Sequence, residues 1–301
     1  MIELRSPKIA IPVVLFAGLL WSFGPLVVRY MDNPQLVPWQ YIFGRGLTIF
    51  ILLNLYLFFE EGKNFYKNYF KIGLSGMIGG SGLGVAMITF IYSITNTSAA
   101  VTLLCLAAMP FFTALLAFLF LKEKISLNVW ISMIIATVGI IIMAVGNTEK
   151  NSLIGFVFGL TSSIGFSIFS VTLRWRKETP KFTTVAVAGL FCFVIAIIMI
   201  LANNQPFFAT SYNSAMFSLH GIIVCLGLIL YSIGSKAIQA AELTLLSLTE
   251  VIGGIFWVWL PLFGINEIPS TNTIVGGFFL FVSLIYYSLI MRWNKRYIAL
   301  N

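Results

Sequence analysis

Leu243–Phe263 reads LTLLSLTEVIGGIFWVWLPLF, an apolar run in which Glu250 is the one charged side chain. A helix of this length, rising 1.5 Å per residue, crosses the hydrocarbon core of a bilayer, which is about 30 Å thick. A charge at that depth costs about 3 kcal/mol or more unless it is paired or in contact with water. We therefore interpret Glu250 as a functional residue inside a membrane-spanning helix.

The composition of the whole chain predicts an all-α integral membrane protein. Of its 301 residues 59% are hydrophobic and 9% are charged, whereas about 25% of the residues of a soluble domain are charged. The apolar runs are continuous and of helical spanning length, unlike the short alternating strands of a barrel. Ten transmembrane helices are predicted: Ile9–Arg29, Val37–Phe59, Phe70–Tyr92, Ala99–Leu121, Leu127–Gly146, Leu153–Leu173, Thr184–Ala202, Met216–Lys236, Leu243–Phe263 and Thr273–Trp293.

The basic residues predict the orientation of these helices. With the N-terminus in the cytoplasm, 15 of the 18 lysines and arginines fall on the inner side, Arg29 and Lys150 on the outer side, and Arg45 within a helix. Cytoplasmic loops carry such an excess, so both termini are predicted to be cytoplasmic. Because the net charge of +8 is spread over these loops, we do not expect the chain to bind nucleic acid.

The two halves of the chain resemble each other at an offset of 141 residues. Gly18 and Gly24 correspond to Gly159 and Gly165, and Pro110 corresponds to Val251 beside Glu250. We predict two five-helix repeats, residues 1–147 and 148–301, although apolar sequences also align by chance. Because five is odd, the second repeat would be inverted relative to the first, and such repeats place substrate sites near the bilayer midplane.

Arg45 and Glu250 are predicted at similar depth. Each lies about eight residues, or roughly 12 Å, from one end of its predicted helix. One interpretation is a structural salt bridge that locks the bundle. The other is a cavity in which Arg45 binds a substrate carboxylate bidentately and Glu250 binds a substrate ammonium or exchanges a proton.

Residues near these two charges are the further candidates for substrate binding. Tyr41 and Thr48 lie one turn on either side of Arg45, and Gly254 and Trp257 follow Glu250 on the same helical face. Trp21 lies well inside the first helix. Aromatic rings beside a carboxylate attract a cation or an apolar side chain, but tryptophans also anchor helices at the membrane interface.

Other features argue for hinges and against chemistry. Pro25 and Pro110 interrupt helical hydrogen bonding and are candidate hinges, although proline kinks also serve packing alone. His220, the single histidine, is expected to be packed or solvated rather than part of a proton relay. One histidine and one midplane acid cannot assemble a catalytic or metal site, so neither an enzyme nor a metal or cofactor is expected.

The chain resembles the EamA-type permeases of the drug/metabolite transporter superfamily. The resemblance rests on GLLWSFGPLVVR (Gly18–Arg29), on WQYIFGR (Trp39–Arg45), and on AAVTLLCLAAMPFFTALLAFLFLKEKIS (Ala99–Ser126) with its weaker copy at Ala240–Glu267. It implies ten helices in two inverted repeats, a central cavity and alternating access. Family members usually have Glu-Pro in the ninth helix, where this chain has Glu250-Val251 and lacks the proline that would break the helix.

These observations lead to two functional hypotheses. The first is a secondary active transporter of a small zwitterionic metabolite, such as an amino acid, in the bacterial cytoplasmic (inner) membrane. The second is a carrier of organic cations such as choline-like compounds, S-adenosylmethionine-like cations or drugs. In either case the expected partners are a small-molecule substrate, the lipid bilayer and, with proton coupling, protons; the protein would be a monomer or a homodimer.

Overall fold

A computed structural model describes residues 7–122, 127–146, 150–176, 178–238 and 240–299. Its regular elements in these ranges are helices, with no strand among them. The α-helices are α1 Pro7–Trp21, α2 Gly24–Arg29, α3 Pro38–Glu61, α4 Lys67–Lys71, α5 Gly73–Asn96, α6 Ala99–Leu106, α7 Met109–Leu121, α8 Leu127–Gly146, α9 Lys150–Trp175, α10 Lys181–Ala202, α11 Ser211–Gly234, α12 Ala240–Leu246, α13 Thr249–Trp259 and α14 Thr271–Ala299.

The prediction of a multi-pass, all-helical membrane protein is confirmed. Within the described ranges, nine segments are long and apolar enough to cross a bilayer, and they coincide with the first nine predicted spans. The tenth predicted span, Thr273–Trp293, falls in α14, whose described apolar part ends at Tyr287 and is shorter than the other nine. The number of ten therefore stays a prediction.

Two spans are broken just ahead of a proline. Pro25 and Pro110 each lie in the first turn of the second half-helix, α2 and α7. A proline ring clashes with the carbonyl four residues earlier, which is that of Trp21 or Leu106. The first half-helices, α1 and α6, end at these two residues.

The ninth span is also broken, although Val251 replaces the expected proline. The break comprises Ser247 and Leu248, between α12 and α13. Hydroxyl groups around it donate to backbone carbonyls: Ser247 Oγ to Thr244 at 2.8 Å and Thr249 Oγ1 to Leu15 at 3.1 Å. Such bonds compete with the helical ladder and bend helices. Glu250 consequently lies in the first turn of a helix that begins inside the membrane.

The helices of the two halves interleave. α5 packs along α9, α3 along α10 and α8 along α14, while α1 and α3 both contact α11 and α5 also contacts α10. The glycine-rich stretch of α5 permits a close approach to α9: a Cβ on Gly165 of α9 would lie 2.6 Å from the Gly82 carbonyl oxygen. These contacts place α1, α3, α5, α9 and α11 around a common centre.

At one end of the bundle, Arg29 joins four chain segments. Its Nε donates to Glu267 Oε2 at 2.7 Å, and its Nη1 and Nη2 donate to the carbonyls of Ile94 at 2.8 Å and Thr97 at 3.1 Å. Glu267 Oε1 accepts from the backbone N–H of Ala99, at the start of α6, at 2.5 Å. We call these five residues the Arg29 cluster. It ties the end of α2 to α5, to α6 and to the segment after α13.

Candidate functional site

A cavity lies in the middle of the bundle, where the breaks in the first, fourth and ninth spans converge. Its volume is about 60 Å³, room for a few water molecules but far below the 300–1,000 Å³ of typical small-molecule sites. Its lining is mostly apolar, with Arg45, Glu250, His220 and Ser162 as the polar members. The apolar lining residues are Trp21, Leu83, Ala86, Met87, Phe90, Leu106, Met109, Phe166, Val224 and Leu228.

Arg45 lines this cavity from α3 and is 5% exposed. Its Nε and Nη1 are buried and have no hydrogen-bond partner among the described residues. Its Cζ lies 5.5 Å from the centroid of the Phe90 ring, a cation–π contact. A guanidinium is always charged, so buried N–H groups without an acceptor leave a large desolvation cost that an anionic ligand would offset.

Glu250 lines the same cavity from the first turn of α13 and is 9% exposed. In the part of the chain that the structure describes, no ion pair joins Glu250 to Arg45 within 4.0 Å. The interpretation of these residues as a salt bridge that locks the bundle is therefore not supported. The N-terminus of a helix favours a carboxylate, because the backbone N–H groups there carry partial positive charge.

His220 also lines the cavity, although the sequence did not predict it as a site residue. It is 2% exposed, and its Nδ1 is hydrogen-bonded to the Tyr41 hydroxyl. The predicted eighth helix begins at Met216, which places His220 near the N-terminal end of that helix. The helix begins instead at Ser211, so His220 lies nine residues, or about 14 Å, into it. The Thr210 hydroxyl, which caps this helix by accepting from the N–H of Asn213, was the signal available in the sequence.

An aromatic wall closes one side of the cavity. Trp21 and Phe166 line it with their centroids 5.8 Å apart, and Tyr231 packs behind both at 5.6 and 5.2 Å. Trp21 is held by a hydrogen bond from its Nε1 to the Val224 carbonyl at 3.2 Å. Trp21, one of the predicted site residues, thus lines the cavity together with Arg45 and Glu250.

The other predicted site residues lie outside the lining. Trp257 stacks on Phe23 at 5.1 Å and donates to Ser22 Oγ at 3.0 Å. Gly254 faces Leu103 and Pro25, which a Cβ at this position would approach to 2.7 and 3.2 Å.

Two further predicted residues take supporting positions. The Thr48 hydroxyl donates to the Gly44 carbonyl at 2.8 Å on its own helix. Tyr41 is fully buried and reaches the cavity only through its bond to His220. The candidate hinges Pro25 and Pro110 lie at helix breaks, and Met109, next to Pro110, is in the cavity lining.

The chemistry that this arrangement permits is recognition by charge. One cavity presents a guanidinium and a carboxylate that do not pair with each other, together with an imidazole and several aromatic rings. No group of three or more histidine, cysteine, aspartate or glutamate residues within the described ranges could hold a metal ion. The three cysteines are buried and free.

Comparison with known proteins agrees with this picture. Residues 8–145 match the EamA-like transporter family. Two proteins of Helicobacter pylori, from strains J99 and 26695, are each 27% identical over 199 residues and are named uncharacterized transporters. These alignments cover 65% of this chain and 64% of each relative, less than two thirds of their length. A Clostridium kluyveri protein with the same name is 27% identical over 72% of this chain and 71% of its own length.

A solved structure described as "Crystal structure of protein" shares the fold. It superposes with a TM-score of 0.62 over 95% of this chain and 99% of its own, at 16% identity. At that identity the likeness extends to the fold alone. The family match over residues 8–145 and the named relatives agree with the broken-helix bundle: this chain is similar to the EamA-like transporter family.

Proposed function

We propose that this protein is a secondary active transporter that moves a small zwitterionic metabolite, an amino acid or a related compound, across the bacterial cytoplasmic membrane. Arg45 would hold the substrate carboxylate and Glu250 its ammonium. The apolar lining, including Trp21 and Phe166, would enclose the rest of the molecule.

One observation carries this proposal: Arg45 and Glu250 share a cavity without pairing with each other. A buried arginine whose Nε and Nη1 lack acceptors is costly to the folded protein. A zwitterion satisfies both charges at once and adds no net charge to the site, whereas an anion or a cation alone satisfies one of them.

The helix packing supports the further proposal of two inverted five-helix repeats with both termini in the cytoplasm. We number the predicted spans one to ten, so that exchanging the halves turns span three into span eight, and so on. Span three packs on span six, and correspondingly span eight packs on span one. In the same way the contact of spans three and seven corresponds to that of spans eight and two, and the contact of spans four and six to that of spans nine and one. Each contact becomes another observed contact when the halves are exchanged. The breaks at Ala107–Ala108 and Ser247–Leu248 also correspond to within one residue at the 141-residue offset.

Alternating access is proposed because the cavity is small and different contacts lie on its two sides. The aromatic wall of Trp21, Phe166 and Tyr231 lies on one side. The Arg29 cluster joins helix ends beyond the other. Opening one side at a time would require the broken helices to move, and half-helices of this kind form the substrate sites of many transporters. Coupling would be to protons, through Glu250, or by exchange.

A second candidate function, transport of organic cations, is favoured by one observation. Glu250 shares its cavity with the rings of Trp21, Phe90 and Phe166, and such combinations bind quaternary ammonium groups. Arg45 opposes this candidate, because it would repel a cation in the same small space.

The test is uptake by proteoliposomes of amino acids, of choline and of nucleoside cations, with the variants Arg45→Ala and Glu250→Gln alongside. We expect amino acid uptake by the wild type, its loss in Arg45→Ala and its reduction in Glu250→Gln. Normal transport by both variants would refute the central site. Full uptake of choline by Arg45→Ala would favour the organic-cation carrier instead.

Coupling requires a separate comparison, uptake with and without an imposed pH gradient. Stimulation by the gradient that is lost in Glu250→Gln supports proton coupling through this carboxylate. Uptake that responds only to unlabelled substrate on the opposite side indicates exchange.

A further inference from the structure

His220 is a buried polar group that the proposed substrate contacts do not use. It lines the cavity, and its ring centroid lies 6.3 Å from that of Phe90. Arg45 Cζ lies 5.5 Å from the same centroid. His220 and Arg45 thus flank one aromatic ring, and Tyr41, which holds His220, lies one turn before Arg45 on α3.

The hydrogen bond between Tyr41 and His220 sets the direction in which the imidazole donates. The Tyr41 hydroxyl is fully buried and bonds to His220 Nδ1; no other described residue accepts its proton. If Nδ1 carried a hydrogen, this buried O–H would be left without an acceptor, which is unfavourable. The hydroxyl therefore donates to Nδ1, and in the neutral imidazole the proton is on Nε2.

The Nε2 atom is positioned by a close approach to Gly24. A Cβ on residue 24 would lie 2.8 Å from His220 Nε2, so a glycine here leaves room for the ring. No hydrogen bond from Nε2 to another described residue occurs, and His220 lines the cavity. An Nε2–H without an acceptor in the described protein is left to donate to a ligand in the cavity that His220 and Arg45 both line.

The next inference rests on the proposed function. We infer that His220 Nε2–H is a second donor to the substrate carboxylate held by Arg45, and that Tyr41 is the positioning residue that fixes the required tautomer. A carboxylate has about four acceptor positions, and a bidentate guanidinium occupies two of them. His220 would therefore make the site selective for a carboxylate over a carboxamide, beyond what Arg45 alone achieves.

The experiment measures binding of L-valine and L-valinamide, with L-leucine and L-leucinamide as a second pair, to the purified full-length protein. The variants are His220→Asn, His220→Gln and Tyr41→Phe. The Gln amide nitrogen can take the place of Nε2, whereas that of Asn takes the place of Nδ1. We expect His220→Asn to weaken binding of the amino acids about tenfold to a hundredfold and His220→Gln to recover most of that loss.

Tyr41→Phe should weaken amino acid binding at most about twofold, since both tautomers would then be populated and only one donates from Nε2. Binding of the carboxamides should change little in any of these variants. Gly24→Ala provides a route that leaves His220 itself intact: the added methyl displaces the ring and should reproduce the selective loss. Gly24→Ala also tests the inference if His220→Asn fails to fold.

Equal weakening of amino acids and carboxamides in all variants would overturn the inference and assign His220 a structural role. Unchanged binding in His220→Asn, with binding lost in Arg45→Ala, would also overturn it while the proposed function stood. Failure of the wild type to bind either amino acid, together with uptake of choline, would instead overturn the proposed function and the inference with it.

Discussion

Arg29 and Arg45 both lie in membrane-spanning segments, but they differ in whether their guanidinium groups have hydrogen-bond partners. All three nitrogens of the Arg29 guanidinium donate hydrogen bonds, to Glu267, Ile94 and Thr97. Arg45 is more deeply buried, yet its Nε and Nη1 have no partner among the described residues. The same contrast separates their potential carboxylate partners: Glu267 pairs with Arg29, whereas Glu250 does not pair with Arg45.

This difference distinguishes a charged residue with a structural role from one with a role in binding. A fully bonded guanidinium stabilises the contacts between the segments that supply its acceptors. A guanidinium without acceptors weakens the folded state and has value only when a ligand completes it. On this reasoning Arg29 belongs to the framework and Arg45 to the binding site, and the two can be distinguished by matched substitutions.

The largest expected effect is on substrate binding by Arg45→Met. Loss of a desolvated charge pair with the substrate should weaken amino acid binding by at least about a hundredfold. The protein itself should become more stable by about 1–3 kcal/mol, since a costly buried group is replaced by an apolar one. Binding assays and thermal unfolding in detergent measure the two effects. Lower stability with unchanged binding would reverse the assignment of Arg45.

The matched substitution Arg29→Met should act in the other direction. It removes the three hydrogen bonds described above and a fourth, from Nη2 to Glu267 Oε1 at 3.3 Å, and leaves Glu267 without its cation. We therefore expect a loss of stability of about 2–3 kcal/mol. Substrate affinity of the folded fraction, measured well below the unfolding temperature, should change less than about threefold. A large loss of affinity at unchanged stability would mean that Arg29 contacts the substrate.

The carboxylates provide a milder comparison. Glu250→Gln should weaken amino acid binding about tenfold, because a neutral amide still accepts hydrogen bonds from an ammonium group. Glu267→Gln should leave binding unchanged and lower stability by about 1 kcal/mol. Both variants are close in shape to the wild type, so the comparison isolates charge. Equal effects of the two on binding would contradict the distinction between framework and site.

The smallest expected effects concern two tryptophans. Trp21→Phe should change amino acid affinity by about threefold, because Trp21 lines the cavity. Trp257→Phe should leave affinity unchanged and lower stability by about 1 kcal/mol through loss of its bond to Ser22. Tryptophan fluorescence on ligand addition offers an independent check: the response should disappear with Trp21 and persist without Trp257.

Much of the framework could be predicted from the sequence. Apolar length identifies nine spans that the structure confirms, and helical rise places Arg45 and Glu250 at one depth, where they line one cavity. The breaks before Pro25 and Pro110 follow from the chemistry of proline. These features are local, because each depends on a few consecutive residues.

The remaining features depend on contacts between distant segments. The break beside Glu250 forms without a proline, through hydroxyl groups such as that of Thr249, whose acceptor Leu15 is on another helix. Trp257 shares a helical face with Glu250 but lies seven residues, or about 11 Å, farther along the axis, too far for a cavity of about 60 Å³. His220 was missed because an error of five residues in a helix start moves a side chain by about 8 Å in depth.

The most direct test of the central claim measures the binding of three ligands to the wild type and to two variants. The ligands are L-valine, L-valinamide, which lacks the carboxylate, and isovalerate, which lacks the ammonium group. The wild type should bind L-valine more tightly than either analogue. Arg45→Met should lose most of the preference for L-valine over L-valinamide and keep only the part that His220 supplies, and Glu250→Gln should bind L-valine and isovalerate with nearly equal affinity. If Arg45→Met retains the full preference of the wild type for L-valine over L-valinamide, Arg45 does not hold the substrate carboxylate and the account is wrong.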